Sequence, residues 1–312
     1  MDERNKKYIQ SSEMYKKLVS VGIPAYKASY LKEAIDSVLN QTYTNFELII
    51  VNDNSPEDID SIVSVYNDSR IRYYKNERNL GKESIVLNWN KCLSYARGEF
   101  FVLLCDDDIL EPTFIEKMYS LTLKYPQCNV FKSRTKLINS INNTVIGESP
   151  IWPEYETYED FFINKIKGCR KHTISEFLYR TKYIRKCNGY KIYPVGFYAD
   201  DHSILEFSKE NGIATSNECL IIIRKSEEHI STNTIYNIGK VKAALIYYDW
   251  IKKTHNLNDE EIKRVNGCEE YEIYNYFINS KNLRDAIYIL CIIPNNVFNL
   301  KNKLKCLINR IL

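Results

Sequence analysis

Three short, continuous apolar runs, at 18–23, 46–51 and 100–104, constrain this chain more than any other feature of it. They are rich in Val, Ile, Leu and Phe and show little polar alternation. Such runs read as strands buried on both faces, and strands of that kind belong in a mostly parallel sheet covered by helices. The stretches between them supply the helices. Residues 30–39 place Leu31, Ala34, Ile35 and Val38 on one stripe. Ser55-Pro56-Glu57-Asp58 reads as an N-cap, a proline at the first helical position and early acids. Ile59, Ile62, Val63 and Tyr66 continue that helix. A short strand at 71–74 and a helix over 82–96, stopped at Gly98, complete the pattern.

Beyond residue 135 the pattern is less regular. We expect a strand at 173–179, a helix at 201–211 stopped by Gly212, and a last strand at 219–224. From about residue 238 the chain reads as helical, with Val241, Ala244, Leu245, Tyr248 and Ile251 on one stripe. The expected organisation is a polar extension over 1–17, an α/β domain over 18–235 and a helical C-terminal region over 236–312.

Composition narrows the classes. A net charge of +3 on 312 residues with no clustered basic face gives nothing for nucleic acid to bind. Nine scattered cysteines without a C-x-x-C pair make neither a structural zinc site nor a disulfide framework, and point to reduced thiols in the cytoplasm. The N-terminus lacks the apolar core of a signal peptide. The longest apolar stretch, 286–293, ends at Pro294 and is too short to span a bilayer.

In open parallel sheets ligands sit beyond the carboxyl ends of the strands. That rule sets 24–27, 52–54 and 106–108 along one rim. Asp106, Asp107 and Asp108 directly follow a buried strand. Adjacent like charges raise one another's pKa unless a cation intervenes, and hard oxygen ligands suit Mg²⁺ or Mn²⁺ bound together with phosphate oxygens. The alternative is a solvated acidic turn capping a helix at Glu111-Pro112. Asp53 is placed to accept a hydrogen bond from a base or sugar edge, or to serve a turn with Asn54. Asp200 and Asp201 open a helix, where acids complement the dipole and where a general base can also sit. His229 is a candidate contact for metal or diphosphate, or an ordinary surface residue.

These signals together resemble family 2 glycosyltransferases. The likeness lies in Val19-Ser20-Val21-Gly22-Ile23-Pro24-Ala25-Tyr26, Ser37-Val38-Leu39-Asn40-Gln41-Thr42-Tyr43 and the segment running from Phe46 through Val51-Asn52-Asp53-Asn54-Ser55. It continues in Asn79-Leu80-Gly81, Gly98-Glu99, Asp106-Asp107-Asp108-Ile109-Leu110-Glu111-Pro112 and Asp200-Asp201, so it covers about 18–231. The resemblance implies a GT-A fold, Rossmann-like, with the helical C-terminal region as an appendage. It implies a nucleotide pocket drawing on Pro24, Ala25, Tyr26, Asp53, Lys82, Asp106 and Arg224. It implies Mn²⁺ or Mg²⁺ on Asp107 and Asp108, with His229 nearby, and a catalytic base at Asp201 with Asp200 beside it. Cys105 stands where many members carry the first aspartate of the metal motif. Lys27 replaces a common asparagine, Asn52 a common aspartate, and Asp200 the usual glutamate.

The implied reaction is inverting sugar transfer from a nucleotide diphosphate, usually UDP, to a hydroxyl of a glycan or glycolipid, in a setting such as bacterial surface polysaccharide synthesis. Competing readings are a non-catalytic nucleotide- or sugar-binding domain and a sugar-phosphate nucleotidyltransferase. The latter normally opens on a Gly-rich basic loop, where this chain has Pro24-Ala25-Tyr26-Lys27. At the C-terminus, Leu300, Leu304, Leu307, Ile308 and Ile311 with flanking Lys301, Lys303, Lys305 and Arg310 make a basic amphipathic helix. It is suited either to peripheral contact with the inner face of the membrane or to packing on the protein body.

Overall fold

The computed structural model describes residues 17–225, 233–299, 302–303 and 305–307. Its first half alternates strand and helix: β1 (Val19–Ala25), α1 (Leu31–Leu39), β2 (Phe46–Asn52), α2 (Ile59–Ser64), β3 (Ile71–Lys75), α3 (Ile85–Tyr95) and β4 (Phe100–Leu103). These four strands pair in parallel in the order β3-β2-β1-β4. The next stretch holds β5 (Ile109–Leu110), α4 (Phe114–Lys124), β6 (Val130–Asn139), β7 (Val145–Glu148), β8 (Tyr155–Glu156) and α5 (Tyr158–Ile166). It is followed by β9 (Phe177–Arg180), α6 (Thr181–Lys186), α7 (Ala199–Ser208) and β10 (Ile213–Lys225). The sheet continues from β4 through β9, β6 and β10 to β5, with β7 on β6 and β8 on β10. Strand β9 runs antiparallel to both β4 and β6, so the sheet is mixed.

Each central strand is buried on both faces, as its unbroken apolar run requires. Leu48 and Ile50 of β2 join a core with α1, α2 and α4, while Ile49 and Val51 point the other way into a core with α3 and α7. The C-terminal helices α8 (Asn237–Thr254), α9 (Asp259–Ile278) and α10 (Leu283–Ile292) pack into that second core through Val241, Tyr247, Ile273, Phe277 and Ile289. Leu307, from the amphipathic stripe, rests on it as well. Leu300, Leu304, Ile308 and Ile311 lie outside the described residues. No described helix is long and apolar enough to cross a membrane.

Several boundaries depart from expectation for local reasons. Helix α2 starts at Ile59 because Asp58, not Ser55, accepts the free amide of Ser61 at 3.1 Å. Helix α3 starts at Ile85 because the backbone just before it is wrapped around a carboxylate, as described below. Residues 174–176 form a 3₁₀ turn ahead of β9 rather than strand. Strand β10 begins six residues before the expected 219, and its register against β6 shifts around Ser216-Asn217-Glu218-Cys219, which hides its first half from a hydrophobic pattern.

The turn from α7 into β10 depends on Gly212, whose φ of +67° is left-handed and whose missing side chain leaves room for the Glu156 carbonyl. Gly212→Ala combines that strain with a clash against backbone. It is expected to cost about 1–3 kcal/mol, read as a lower urea midpoint at unchanged m.

Candidate active site

The parallel register brings the strand ends to one rim. Ala25 pairs with Asn52 at the ends of β1 and β2, and the Asp53 amide donates to the Ala25 carbonyl at 2.9 Å. The chain leaving β4 is tied to the same place. Asp106 Oδ2 accepts from the amides of Tyr26 and Lys27, each at 2.7 Å. Burial, reinforced by the neighbouring Asp107 charge, pushes the Asp106 carboxyl up to about 6 despite those two amides. Pro24 and Ala25 therefore sit in the last turn of a rigid strand, and Tyr26, 40% exposed, opens the rim.

Asp53 is 3% exposed and fully engaged. Its Oδ1 accepts from Asn76 Nδ2 and the Leu80 amide, and its Oδ2 from the Gly81 amide, all at 2.8 Å. This carboxylate shapes the Asn79-Leu80-Gly81 loop and so carries the exposed Lys82 on a defined turn.

The acidic turn gathers a possible donor set that the sequence reading only half identified. One ligand atom each from Cys105, Asp107 and Asp108 lies within 4.8 Å of the others. Asp108 is 4% exposed; its Oδ2 accepts from Ser175 Oγ at 2.6 Å, and its Oδ1 is buried with no hydrogen-bond partner among the described residues. Burial and the adjacent Asp107 drive the Asp108 carboxyl well above its ordinary range. An orphaned buried carboxylate oxygen beside a second carboxylate and a thiol fits a divalent cation, which would relieve both the repulsion and the desolvation. Cys105 was read as a departure from the motif; its sulfur nevertheless faces this cluster. Lys27 Nζ stands 3.9 Å from Asp107 Oδ2.

Arg224 is almost wholly buried rather than open to a ligand. Its Nε donates to the Asp107 carbonyl at 3.3 Å and Nη1 to Asn143 Oδ1 at 2.7 Å. Its Nη2 pairs with Glu33, and the guanidinium lies 4.1 Å from the Tyr30 ring centre. It holds the acidic turn from behind. His229 lies outside the described residues.

Asp200 and Asp201 occupy the first turn of α7. Asp201 Oδ1 is ion-paired with Lys165 and lies 3.6 Å from His172 Nε2. Burial alone would raise both carboxyls. For Asp201 the Lys165 charge outweighs it and keeps the group anionic, while for Asp200 burial and the Asp201 charge push the carboxyl up to about 7. The helix is introduced by Tyr198, a non-glycine residue at φ 64°, an uncommon conformation held here by a stack on Tyr247 and a hydrogen bond to Glu272. Asp201, Lys165, His172, Tyr198, Tyr247 and Glu272 line one cavity of about 340 Å³. Of these only Asp201 was expected. The others come from α5, the loop after it, the residue just before α7 and the C-terminal helices, where no local motif marks them.

The two carboxylate groups are joined by residues 172–176. His172 faces Asp201, and Ser175 holds both Asp108 and the Cys105 amide, the latter at 3.1 Å. Glu176 fixes the turn by accepting the Thr173 amide at 2.9 Å, and is itself buried 3.4 Å from Lys132, which lies over the Trp152 ring.

Residues 20–185 match the family described as Glycosyl transferase family 2. Over 220 residues, 69% of this chain and 80% of the other, the sequence is 31% identical to the Escherichia coli UDP-Glc:alpha-D-GlcNAc-diphosphoundecaprenol beta-1,3-glucosyltransferase WfgD. It is also 27% identical to an uncharacterized glycosyltransferase of Haemophilus influenzae, over 87% of this chain and 84% of that one. Among solved structures it is similar to S. aureus TarS 1-349 in complex with UDP-GlcNAc, with a TM-score of 0.70 and 18% identity over 94% of this chain and 88% of that one. It is similar, at a TM-score of 0.54 and 14% identity, to the Pyrobaculum calidifontis mannosyltransferase PcManGT in complex with GDP-Man and Mn²⁺, over 95% and 80% of the two chains. The arrangement of sheet and helices is the expected GT-A fold.

Ser175→Ala would strip the donor from Asp108 and the partner from the Cys105 amide, both in buried surroundings. The expected loss is about 1–3 kcal/mol of stability, measured by chemical denaturation.

Proposed function

Because this chain belongs to glycosyl transferase family 2, we propose that it is an inverting glycosyltransferase moving a sugar from a nucleotide diphosphate, with UDP as the favoured nucleotide, to a hydroxyl of a glycan or glycolipid. The observation that carries this reading is the placement of an anionic Asp201 at a cavity wall, one short turn away from the acidic cluster of Asp107 and Asp108. A base and a leaving-group site must flank the transferred sugar, and residues 172–176 join them here. The activity of WfgD, on a diphosphoundecaprenol-linked sugar, and the UDP-GlcNAc complex of TarS support the donor and acceptor classes. Bacterial surface polysaccharide synthesis on the cytoplasmic side of the membrane is the setting that fits them.

In this mechanism Asp201 accepts the proton of the acceptor hydroxyl as that oxygen attacks the anomeric carbon and the bond to the diphosphate breaks. General base help of this kind contributes about 10²–10⁴-fold. Lys165 keeps Asp201 ionised and oriented, while Asp200, pushed up to about 7, is the more readily protonated of the two. Asp107, Asp108 and Cys105 would hold Mn²⁺ or Mg²⁺, which when bound neutralises charge on the diphosphate. Lys27 adds a second positive charge on that side. Pro24, Ala25 and Tyr26, fixed by Asp106, form the wall for the nucleotide, and Asp53 sets the loop that presents Lys82. Arg224 supports the acidic turn from beneath.

Calorimetric titration with UDP, GDP, CDP and dTDP, each with and without Mn²⁺, is expected to show Mn²⁺-dependent binding of one nucleotide, abolished in Asp107→Ala. Absence of binding by every nucleotide would leave a non-catalytic domain as the reading. Asp201→Asn should lower sugar transfer to a lipid extract, read as UDP release, by about 10²–10⁴-fold while UDP affinity is unchanged. A parallel loss of UDP binding would place Asp201 in the donor site instead.

A further inference from the structure

The cavity beside Asp201 contains one polar group that the mechanism above leaves idle. The His172 side chain is 0% exposed, and neither of its ring nitrogens has a hydrogen-bond partner among the described residues. Its Nε2 lies 3.6 Å from Asp201 Oδ1, beyond hydrogen-bond reach. A buried, unsatisfied imidazole is costly and calls for an absent partner. We propose that this cavity seats a neutral sugar ring of the acceptor, and that His172 is the positioning residue that grips hydroxyls next to the one Asp201 deprotonates.

The assignment rests on the transferase reading, and the chemistry of the cavity narrows the ligand. Burial, followed by the nearby Lys165 charge, drives His172 well below its ordinary value, so the ring is neutral. A neutral imidazole offers one donor and one acceptor, the pair that two vicinal hydroxyls can meet. Glu272 is pushed up to about 7 by burial, so its carboxyl is partly protonated near neutral pH, and it accepts a hydrogen bond from Tyr198. Of the lining cations, Lys165 is matched by Asp201 and Arg170 by Glu156 through Nε at 2.9 Å, while Lys171 is exposed to solvent. Neutral polar groups among tyrosine rings favour an uncharged polyhydroxyl ligand over an anion. A volume of about 340 Å³ is near the small end of ligand pockets, which suits a single ring. Tyr247 from α8 and Glu272 from α9 form the far wall, so the C-terminal helices take part in acceptor selection.

The test uses the full chain loaded with UDP and Mg²⁺, probed by saturation-transfer NMR. The probes are methyl β-glucopyranoside and methyl N-acetyl-α-glucosaminide, with N-acetylglucosamine 1-phosphate and inorganic phosphate as the anionic arm. At least one neutral glycoside should bind the wild type. His172→Leu should weaken it at least about tenfold, and His172→Gln, which keeps a donor and an acceptor, should stay within about threefold. Cys268→Phe, growing into the same space from α9, should also weaken it, with UDP affinity retained in all three variants. No glycoside binding, equal binding by His172→Leu, or preference for the phosphate probes would overturn the inference. If UDP itself fails to bind, the transferase reading falls too; if UDP binds normally, only this inference does.

Discussion

The site depends first on a buried carboxylate that closes the sheet at its functional edge. Asp106 bridges from the end of β4 to the two amides that follow β1. Peptide donors at the end of a parallel strand have no ladder partner left, and Asp106 brings an acceptor to them. By supplying it, Asp106 stops the chain after β4 from swinging away and turns Asp107 and Asp108 to the same side. Asp53 does the equivalent for the loop after β3, with two amides and one side-chain amide on its two oxygens. Two of the acids expected to touch nucleotide thus act first on the backbone that surrounds it.

A second constraint links the halves of the site. The turn at 172–176 is anchored by Glu176, buried beside Lys132, whose ammonium lies 4.0 Å from the centre of the Trp152 ring. Burying such a pair brings little net stability, because desolvation offsets much of the attraction. Burial pulls Lys132 below its usual range and pushes Glu176 up to about 6, which expresses that cost. The return is positional. With Glu176 fixed, Ser175 reaches Asp108 and His172 faces Asp201, so the acidic cluster and the start of α7 are linked by one short segment.

The Lys165–Asp201 contact shows how a buried helix-terminal acid is kept anionic. In the first turn of α7 the dipole already favours anion. The added lysine holds the charge on Asp201, while burial and that charge push Asp200 up to about 7, so the protein itself differentiates the pair. Tyr198, held left-handed by Tyr247 and Glu272, aims the start of that helix into the cavity.

The strands at β1, β2 and β4, the helix faces of α1 and α8, and the acids at the strand ends were legible in the sequence because their causes are local. An unbroken apolar run demands burial on both faces, and polar residues directly after it must lie on the rim. The boundary of α3 was not legible, because the backbone before it is bent by a carboxylate 27 residues earlier. Nor was the first half of β10, where a register shift breaks the apolar pattern. By itself the sequence determined the layered α/β sheet, the family and the carboxylates that crown the strands. Only the tertiary structure decided that Asp53 and Arg224 bond to loops of the protein itself, that Cys105 faces the acidic cluster, and that Lys165, His172 and Glu272 surround Asp201. Those groups come from segments scattered between residues 53 and 272, and only packing against shared cores brings them within reach of one another.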